Sequence, residues 1–355
     1  MPATSIDTFF ACSLLVILVV STMAALPKVL HPFLDGLSHK NDAELFQQLA
    51  QYLLLNTGSP SDWGSNRDVS PTIFGLASNS TSRPYTLDID KVTRLNSTNV
   101  FAITYAQLLD ALKLSNIALR ISIQPIFDTS INLTSSVNNG DETSYNFDII
   151  TQKSGLAVVS NLSCYLVVRD YLDNLFSSTN LSGKANVTFT VPNNVNGSAL
   201  LIVFAKAHVN PSAVSFGVYS FGHNASSPRQ NGVFVRPNPL GYVLNVSFNY
   251  PNEQILGAFA LSYSYRANLT LLSNATQTAE YSFPHFLGKS ATILVLIGLN
   301  GTESFAEWVA YPQVPLDIGV NFDASILHST VFSFAYIVTI DSVFFEFQIK
   351  CRTVG

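Results

Sequence analysis

The chain has 355 residues, of which 47% are hydrophobic and 12% are charged, and its formal net charge is −5. Because soluble domains usually carry about 25% charged residues, the polar surface must come largely from the 95 Ser, Thr and Asn residues. The high apolar content, with 25 Phe and 14 Tyr, excludes a disordered chain. The small net charge and the lack of basic blocks argue against nucleic acid as a partner.

The N-terminal segment is predicted to anchor the protein in a membrane. After a short segment, 1–7, residues 8–30 are predicted to form a transmembrane helix, because Thr8 to Pro27 contains no charged residue and about 20 apolar residues span a bilayer core. A cleavable signal peptide is the alternative, but no basic residue precedes the apolar run. Cys12 opens this run rather than following it, so a lipoprotein-type attachment is not expected.

Asn-X-Ser/Thr motifs, the acceptors of N-linked glycans, set the expected orientation. Lys28 and Lys40 follow the helix and would by themselves keep the rest of the chain in the cytoplasm. However, 29 Asn and 66 Ser plus Thr would give about five such motifs by chance, and twelve occur. We therefore expect the C-terminal part to be extracellular. The twelve candidate glycosylation sites are Asn79, Asn96, Asn132, Asn161, Asn180, Asn186, Asn196, Asn224, Asn245, Asn268, Asn274 and Asn300.

Residues 41–127 are predicted to form a small α+β region. An amphipathic helix is expected over 41–55, capped by Asn41 or Asp42, and a second helix from Val100 to Leu114, capped by Asn99. A half-buried strand follows over residues 117–124. The apolar stripes predicted for the two helices are Leu45, Leu49, Tyr52 and Leu53, and Tyr105, Leu108, Leu109 and Leu112.

The remainder is predicted to be mainly β, as two β-sandwich units of the immunoglobulin-like kind over 140–225 and 232–355. Ten short apolar or alternating runs recur at strand-like spacing, and no fixed repeat period is visible. Polar, turn-rich stretches at 132–144 and 223–232 are the expected boundaries. The apolar run 291–299 is too short to cross a bilayer and is predicted to be a buried central strand.

Neither a metal site nor another cofactor is predicted. The six His residues are scattered, and Asp88 and Asp90 lack the further ligands of a calcium loop. These two carboxylates are expected to point outward from a strand or turn, and Glu303 and Glu307 to be solvated. Because no nucleotide-binding or serine-hydrolase motif occurs, the protein is not expected to be an enzyme.

The remaining cysteines and several aromatic residues leave alternatives open. Cys164 and Cys351 are expected either to form a disulfide, which an extracellular location permits, or to remain as two buried thiols. Some aromatic residues lie near turn residues, where they would either stack on a ligand or, the better default, pack in a core. They are Trp63, Phe286, Trp308 and Tyr311.

About residues 3–125 resemble archaeal type IV pilin-like proteins and uncharacterised membrane-anchored archaeal envelope proteins. The resemblance rests on a short segment with an acidic residue before the hydrophobic helix, and on YLLLNTGSPSDWG (52–64), FGLA (74–77) and LDIDKVTRLN (87–96). It implies that Asp7, in a mature chain starting at Ala3, holds the place of the acidic residue that neutralises the N-terminal amine of a neighbouring subunit. A pilin leader has a basic residue before its cleavage site, and Met1-Pro2 has none, so the anchor is expected and a filament is left open.

The expected function is that of a single-pass, membrane-anchored surface glycoprotein, a pilin-like structural or interaction protein of the cell envelope. Its expected partners are membrane lipid, glycans, and copies of itself or other pilin-like subunits. An adhesin-type module that binds carbohydrate or protein is the alternative, and an extracellular hydrolase is less favoured.

Overall fold

The structure is a computed structural model that describes residues 42–80, 83–225, 229–285, 291–322 and 330–354. The chain separates into two units, 1–51 and 52–355, and only residues 42–51 of the first unit are described. The segment 1–7 and the helix predicted over 8–30 therefore lie outside the described residues. Within the described ranges, no helix combines the length and the apolar character needed to cross a membrane.

The described chain is mostly β. Its helices are α1 (42–55), α2 (Ile89–Thr93) and α3 (Tyr105–Leu112). Its strands are β1 (Thr86–Leu87), β2 (Ile117–Pro125), β3 (Asp128–Asn138), β4 (Glu142–Lys153), β5 (Leu156–Ala157), β6 (Ser160–Val168), β7 (Tyr171–Ser178), β8 (Lys184–Pro192), β9 (Gly197–Ala207), β10 (Val214–His223), β11 (Val235–Leu240), β12 (Val243–Phe248), β13 (Glu253–Ser262), β14 (Tyr265–Asn268), β15 (Thr270–Asn274), β16 (Thr278–Ser282), β17 (Thr292–Asn300), β18 (Glu303–Tyr311), β19 (Leu316–Gly319), β20 (Phe332–Ile340) and β21 (Val343–Thr353).

The strands of the described ranges form five sheets. The first has the order β1-β20-β21-β2-β19, and we call it the mixed sheet because β1 is parallel to β20. Outer sheet 1 contains β3, β4 and β8, with β5 beside the end of β4, and inner sheet 1 has the order β10-β9-β6-β7. Inner sheet 2 has the order β14-β13-β17-β18, and outer sheet 2 the order β11-β12-β16-β15.

Each outer sheet packs on the inner sheet of the same number and so forms a sandwich. In the first sandwich, Phe147 of β4 and Phe189 of β8 are buried against Val203 of β9. In the second, Leu244 of β12 is buried against Leu296 of β17. The prediction of a mainly β, sandwich-rich fold is confirmed.

The two inner sheets also pack face to face, so that four sheets are stacked. Along β9, side chains alternate between the core of the first sandwich and a further core that includes Ile202 and Phe204. Along β17, Val295 and Ile297 belong to the same further core. We call this layer the inter-sandwich core. Because β9 and β17 are covered on both faces, they read as continuous apolar runs rather than alternating ones, and the central position predicted for 291–299 is confirmed.

The two sandwiches have the same strand connectivity. In each, the first two strands form a hairpin in the outer sheet (β3-β4, β11-β12), and the next hairpin starts the inner sheet (β6-β7, β13-β14). A later strand returns beside the second one (β8 beside β4, β16 beside β12), and a final hairpin completes the inner sheet (β9-β10, β17-β18). The chain thus repeats a topology although its sequence shows no fixed period.

Two predicted boundaries are wrong. The stretch 132–144 is a β-hairpin, because β3 continues to Asn138 and β4 starts at Glu142. Its polar side chains reflect an exposed face, not a linker. The C-terminal sandwich does not extend to residue 355, since β20 and β21 belong to the mixed sheet, where β21 pairs with β2 of the α+β region. The last strand of the first sandwich, β10, ends at His223, and the first strand of the second, β11, starts at Val235.

The predicted helix 41–55 is found as α1, but Leu53 is the one member of its predicted apolar stripe that is fully buried. The buried side chains of α1 are Phe46, Ala50, Leu53 and Leu54. Leu45 and Tyr52, which the prediction placed inside, are 50% and 42% exposed. The helix is apolar on two faces, and both stripes have the spacing of a 3.6-residue period. Spacing alone could not choose between them.

The second helix starts at Tyr105, five residues later than predicted. Thr104 and Gln107 form a capping box, in which each side chain meets the backbone N–H of the other residue. Asn99 is therefore not the cap, and it is buried before the helix begins. The predicted strand is confirmed as β2, whose partner is β21.

Ile202→Ala tests the inter-sandwich core. We expect it to lower the free energy of unfolding by about 2–5 kcal/mol, because it leaves a cavity between two packed sheets. Leu271→Ala, on exposed β15, is the matched control and should cost less than about 1 kcal/mol. Urea unfolding of the full chain measures both, and equal small losses would show that the inner faces are not packed together.

Candidate functional site

The sequon asparagines lie at the protein surface. Nine of the twelve are exposed, three are half-buried and none is buried. Asn186 points away from the core, because its neighbour Val187 is buried and side chains alternate along a strand. The half-buried ones are Asn96, Asn245 and Asn300. The exposed ones are Asn79, Asn132, Asn161, Asn180, Asn186, Asn196, Asn224, Asn268 and Asn274.

Asn96 is the sequon least suited to carry a glycan. Its Nδ2, the atom to which a sugar would be joined, donates to the carbonyl oxygen of Gln313 at 2.9 Å. Its Oδ1 accepts from the backbone N–H and the hydroxyl of Thr98, at 3.0 and 2.8 Å. The side chain thus links the α+β region to the segment after β18, and a sugar on Nδ2 would separate them.

The two described cysteines do not form the disulfide considered above. Both are free and buried, and they lie in different sheets, Cys164 in β6 and Cys351 in β21. Burial raises the pKa of each thiol to about 12, so neither is a reactive thiolate near neutral pH. The alternative of two buried thiols is the one found.

The structure places the remaining candidates as follows. Asp7 lies outside the described residues, and so does Phe286. Trp63 and Tyr311 are fully buried, in agreement with core packing. Glu307, expected to be solvated, is buried; its carboxylate accepts from the backbone N–H groups of the loop before β11.

The LDIDK segment folds as the end of β1 and the start of α2. Asp88 caps α2, since its Oδ1 accepts from the N–H groups of Asp90 and Lys91 at 3.0 Å each. Asp90 does not point outward as predicted and is only 7% exposed. Its Oδ1 accepts from the N–H of Gly241 at 2.8 Å and from the hydroxyl of Tyr311 at 2.7 Å.

Asp90 therefore links α2, the β11–β12 turn and β18 through hydrogen bonds, and we call these contacts the polar joint. Burial raises the pKa of its carboxyl, and the hydrogen bonds from Gly241 and Tyr311 oppose that rise. Burial and the neighbouring carboxylate raise the pKa of Tyr311 well above its usual value. The phenol therefore acts as a hydrogen-bond donor and not as an acid or base at neutral pH.

Two buried cations hold the loops around α2. The Lys91 ammonium donates to the carbonyl oxygens of Thr57 and Ala77, both at 2.9 Å, and burial lowers its pKa. Arg94 donates to four backbone carbonyls, those of Trp63, Asn66, Val69 and Phe101. Charged donors are suited to this role because hydrogen bonds to charged groups are the stronger ones.

A cleft of about 720 Å³ opens beside Asp90, and we call it the junction cleft. It lies where α2 meets the β11–β12 turn and the β20–β21 turn. His285 Nε2 lies 3.3 Å from Asp341 Oδ1, and the His285 ring is centred 4.6 Å from the Tyr242 ring. Burial raises the pKa of Asp341, and His285 opposes the rise.

The junction cleft is rich in hydroxyl groups and carboxylates. Asp88, Asp90 and Asp341 all line it, and such groups bind polar ligands through several hydrogen bonds. Within the described ranges, no three His, Cys, Asp or Glu side chains are grouped so that they could hold a metal ion. The hydroxyl residues that line the cleft are Ser65, Ser78, Ser80, Thr86, Ser212, Thr339 and Ser342.

Sequence reasoning missed Tyr242, His285 and Asp341 as neighbours. Tyr242 and Asp341 lie in two-residue hairpin turns with φ of 60° and 45°. Such turns favour Asn, Asp and Gly, so Gly241-Tyr242 and Asp341-Ser342 were weak turn signals. Nothing in the sequence indicated that the two turns meet.

A double-mutant cycle of Asp90→Asn and Tyr311→Phe tests the polar joint. Tyr311→Phe removes only the hydroxyl, and we expect a loss of about 1.5–3 kcal/mol because the bond goes to a charged group. In the Asp90→Asn background the same change should cost less. Urea unfolding measures all four proteins, and strictly additive effects would contradict a direct Asp90–Tyr311 bond.

The raised pKa of Asp90 predicts a pH dependence of stability. An unfolded Asp titrates near 3.8, so between that pH and the higher native pKa the folded state binds more protons. The contribution of Asp90 to stability is thus full below pH 3.8 and is lost as the pH rises through the native pKa. Thermal unfolding should show wild type losing stability relative to Asp90→Asn over that interval. The other buried carboxyls are present in both proteins, and a constant difference would refute the raised pKa.

The chain was also compared with known proteins. No protein-family model matches it, and no curated protein is significantly similar. The fold and the placement of the residues described above therefore carry the functional argument.

Proposed function

We propose that the protein is a membrane-anchored surface glycoprotein of the cell envelope, with residues 8–30 as its membrane helix and the β-rich part outside the cell. Its role is structural or interactive. The observation that carries the proposal is the surface position of the sequons, since none of the twelve asparagines is buried. A glycan must project into solvent, and glycosylated motifs belong to surface segments.

The other asparagines provide a comparison. Asn99 and Asn238 are the buried asparagines of the described ranges, and neither lies in a sequon. Both are held in the interior by hydrogen bonds, as buried amides must be. The two buried asparagines thus lie outside the sequons, and Asn96 is the sequon least able to accept a sugar.

The sandwiches support a display role. Outer sheet 2 has the strand order A-B-E-D of an immunoglobulin-like domain, with β11, β12, β16 and β15 in those places, and β13, β17 and β18 take the places of C, F and G. We infer that both sandwiches are immunoglobulin-like. The chain leaves the α+β region after β2 and returns to the mixed sheet with β19. Along the chain, both sandwiches are therefore inserted between β2 and β19, which are neighbouring strands of the mixed sheet. They would project from the α+β region, which follows the proposed membrane helix.

Assembly with copies of itself or with other pilin-like subunits is part of this proposal, and it rests on the sequence resemblance. Asp7 would be the assembly residue, neutralising the N-terminal amine of a neighbouring subunit. The described residues add that α1 has a second, exposed apolar face with Leu45 and Tyr52. The segment that would carry the contact, 1–41, is not described.

Carbohydrate binding in the manner of an adhesin is the second candidate, and the junction cleft is the observation that favours it. The cleft combines carboxylate acceptors, hydroxyl groups and the Tyr242 ring, a set that can bond to sugar hydroxyls. A glycan array with the purified full chain tests this candidate. Binding that is lost in Asp341→Ala and retained in the exposed Asp128→Ala would support it, and absence of binding to every glycan would contradict it.

Mass spectrometry of the protein purified from its native membrane tests the leading proposal. We expect glycans on several of the nine exposed sequons and an unmodified Asn96. Protease added to intact cells should release peptides from residues 128–311, with lysed cells as the control for cleavage. Twelve unmodified sequons, or cleavage only after lysis, would refute the extracellular location.

A further inference from the structure

A groove lies where the two inner sheets end together, and we call it the inter-sandwich groove. It encloses about 430 Å³, a size within the roughly 300–1,000 Å³ of small-molecule sites. Its first wall comes from the ends of β6, β9 and β10 in the first sandwich. Its second wall comes from the loop before β11 and the β17–β18 turn in the second sandwich.

The floor of the groove is a polar contact between the sandwiches. The Ser198 backbone N–H donates to Ser304 Oγ, and Ser198 Oγ donates to the Ser304 carbonyl oxygen, both at 2.8 Å. Gly197 allows this approach, because a Cβ there would lie 2.9 Å from Ser304 Oγ. The inter-sandwich core is therefore closed at this end by hydrogen bonds rather than by apolar side chains.

The walls present charged groups. Arg229 pairs with Glu303 at 3.1 Å and lies over the Phe234 ring, 5.6 Å from its centre. Arg169 enters from the β6–β7 turn. Both arginines and Glu303 are exposed, so their donors and acceptors face the groove and solvent. Guanidinium and carboxylate groups of this kind bond readily to the hydroxyls of a saccharide.

Three of the twelve sequons converge on this groove. Asn196 and Asn224 line it directly. Thr302, the hydroxyl residue of the Asn300 sequon, and Ser198, the hydroxyl residue of the Asn196 sequon, line it as well. Asn196 and Asn224 belong to the first sandwich, whereas Arg229 and Glu303 stand on the opposite wall. Asn224 Nδ2 also donates to the carbonyl oxygen and the Oδ1 of Asn193, at 3.3 and 3.2 Å, and a glycan would replace these exposed bonds. A sugar on Asn196 or Asn224 would start at the lining of the groove, opposite the second sandwich.

We propose that the N-linked glycans of Asn196 and Asn224 lie in the inter-sandwich groove and bond across it to the second sandwich, so that carbohydrate forms part of the interface. This inference rests on the proposed glycosylation. Attachment joins Nδ2 to C1 of a sugar delivered by a lipid-linked sugar phosphate donor. The bond between C1 and the phosphate oxygen breaks, the lipid phosphate leaves, and it takes up the proton that the amide loses. The sugar hydroxyls then accept from Arg229 and donate to Glu303.

The bound sugars would limit opening of the β17–β18 turn. Polar contacts at the end of a sheet are accessible to water and open more readily than core strands. A glycan that bridges both walls shields the Ser198–Ser304 contact from water. The effect should be local, because the apolar part of the inter-sandwich core does not depend on it.

Hydrogen exchange of the full chain, in glycosylated and unglycosylated form, tests the proposal. In the glycosylated protein, Asn196→Gln and Asn224→Gln should raise exchange of residues 299–304 at least about threefold. Asn274→Gln, in exposed β15 of outer sheet 2, is the matched control and should leave it unchanged. In protein from a host without N-glycosylation, wild type and all three variants should exchange equally fast at these residues.

The outcomes separate this inference from the proposed function. Glycans at other sequons but none at Asn196 and Asn224 would overturn the inference and leave the surface glycoprotein intact. The inference would also be overturned if Asn196→Gln and Asn224→Gln left the exchange of residues 299–304 unchanged in the glycosylated protein. An equal increase in the unglycosylated protein would overturn it as well, because the effect would then come from the asparagine side chain alone. Twelve unmodified sequons would refute both.

Discussion

The packing of the two inner sheets against each other is the contact on which the rest of the structure depends. One face of each inner sheet lies in the core of its own sandwich, so the other face must contact either water or another sheet. Ile202, Phe204 and Val295 on that second face are fully buried. Apolar burial of this kind is the main favourable term in folding. It fixes the two sandwiches in one orientation and places their ends together at the inter-sandwich groove.

Buried charges act as joints around this apolar stack. The carboxylates of Asp90 and Glu307 are each bound by backbone N–H groups from a different segment. Removing the hydrogen-bond partners of a buried carboxylate lowers the stability of the fold, because the charge is then left uncompensated in the interior. These joints therefore define where a turn or loop must lie, which apolar contacts alone do not. The buried charged residues of the described ranges, Asp90, Lys91, Arg94 and Glu307, all bind backbone groups of loops or turns.

Much of the strand content could be predicted from the sequence, because alternation and apolar runs report directly on burial. All ten predicted runs fall on strands of the structure, and 291–299 was correctly interpreted as central. The strands that were missed include β3 and β18, where exposed or polar side chains conceal the alternation. The boundary predicted at 132–144 failed for the same reason. The return of β20 and β21 to β2 could not be predicted, since pairing between strands more than 200 residues apart leaves no local signal.

The candidate functional residues were predictable only where a short local motif identifies them. A sequon is a local motif, so the positions of all twelve could be read directly from the sequence. Asp90 was misplaced because a carboxylate in a strand or turn is usually solvated, and its partners Gly241 and Tyr311 come from a distant part of the chain. Neither the junction cleft nor the inter-sandwich groove could be predicted, because each is lined by turns that connect several elements. The low content of charged residues, 12% of the sequence, bears on both the fold and the surface. A surface made of Ser, Thr and Asn has few ionic groups to keep it soluble, and glycans on the exposed asparagines would supply the hydration that charged side chains provide elsewhere.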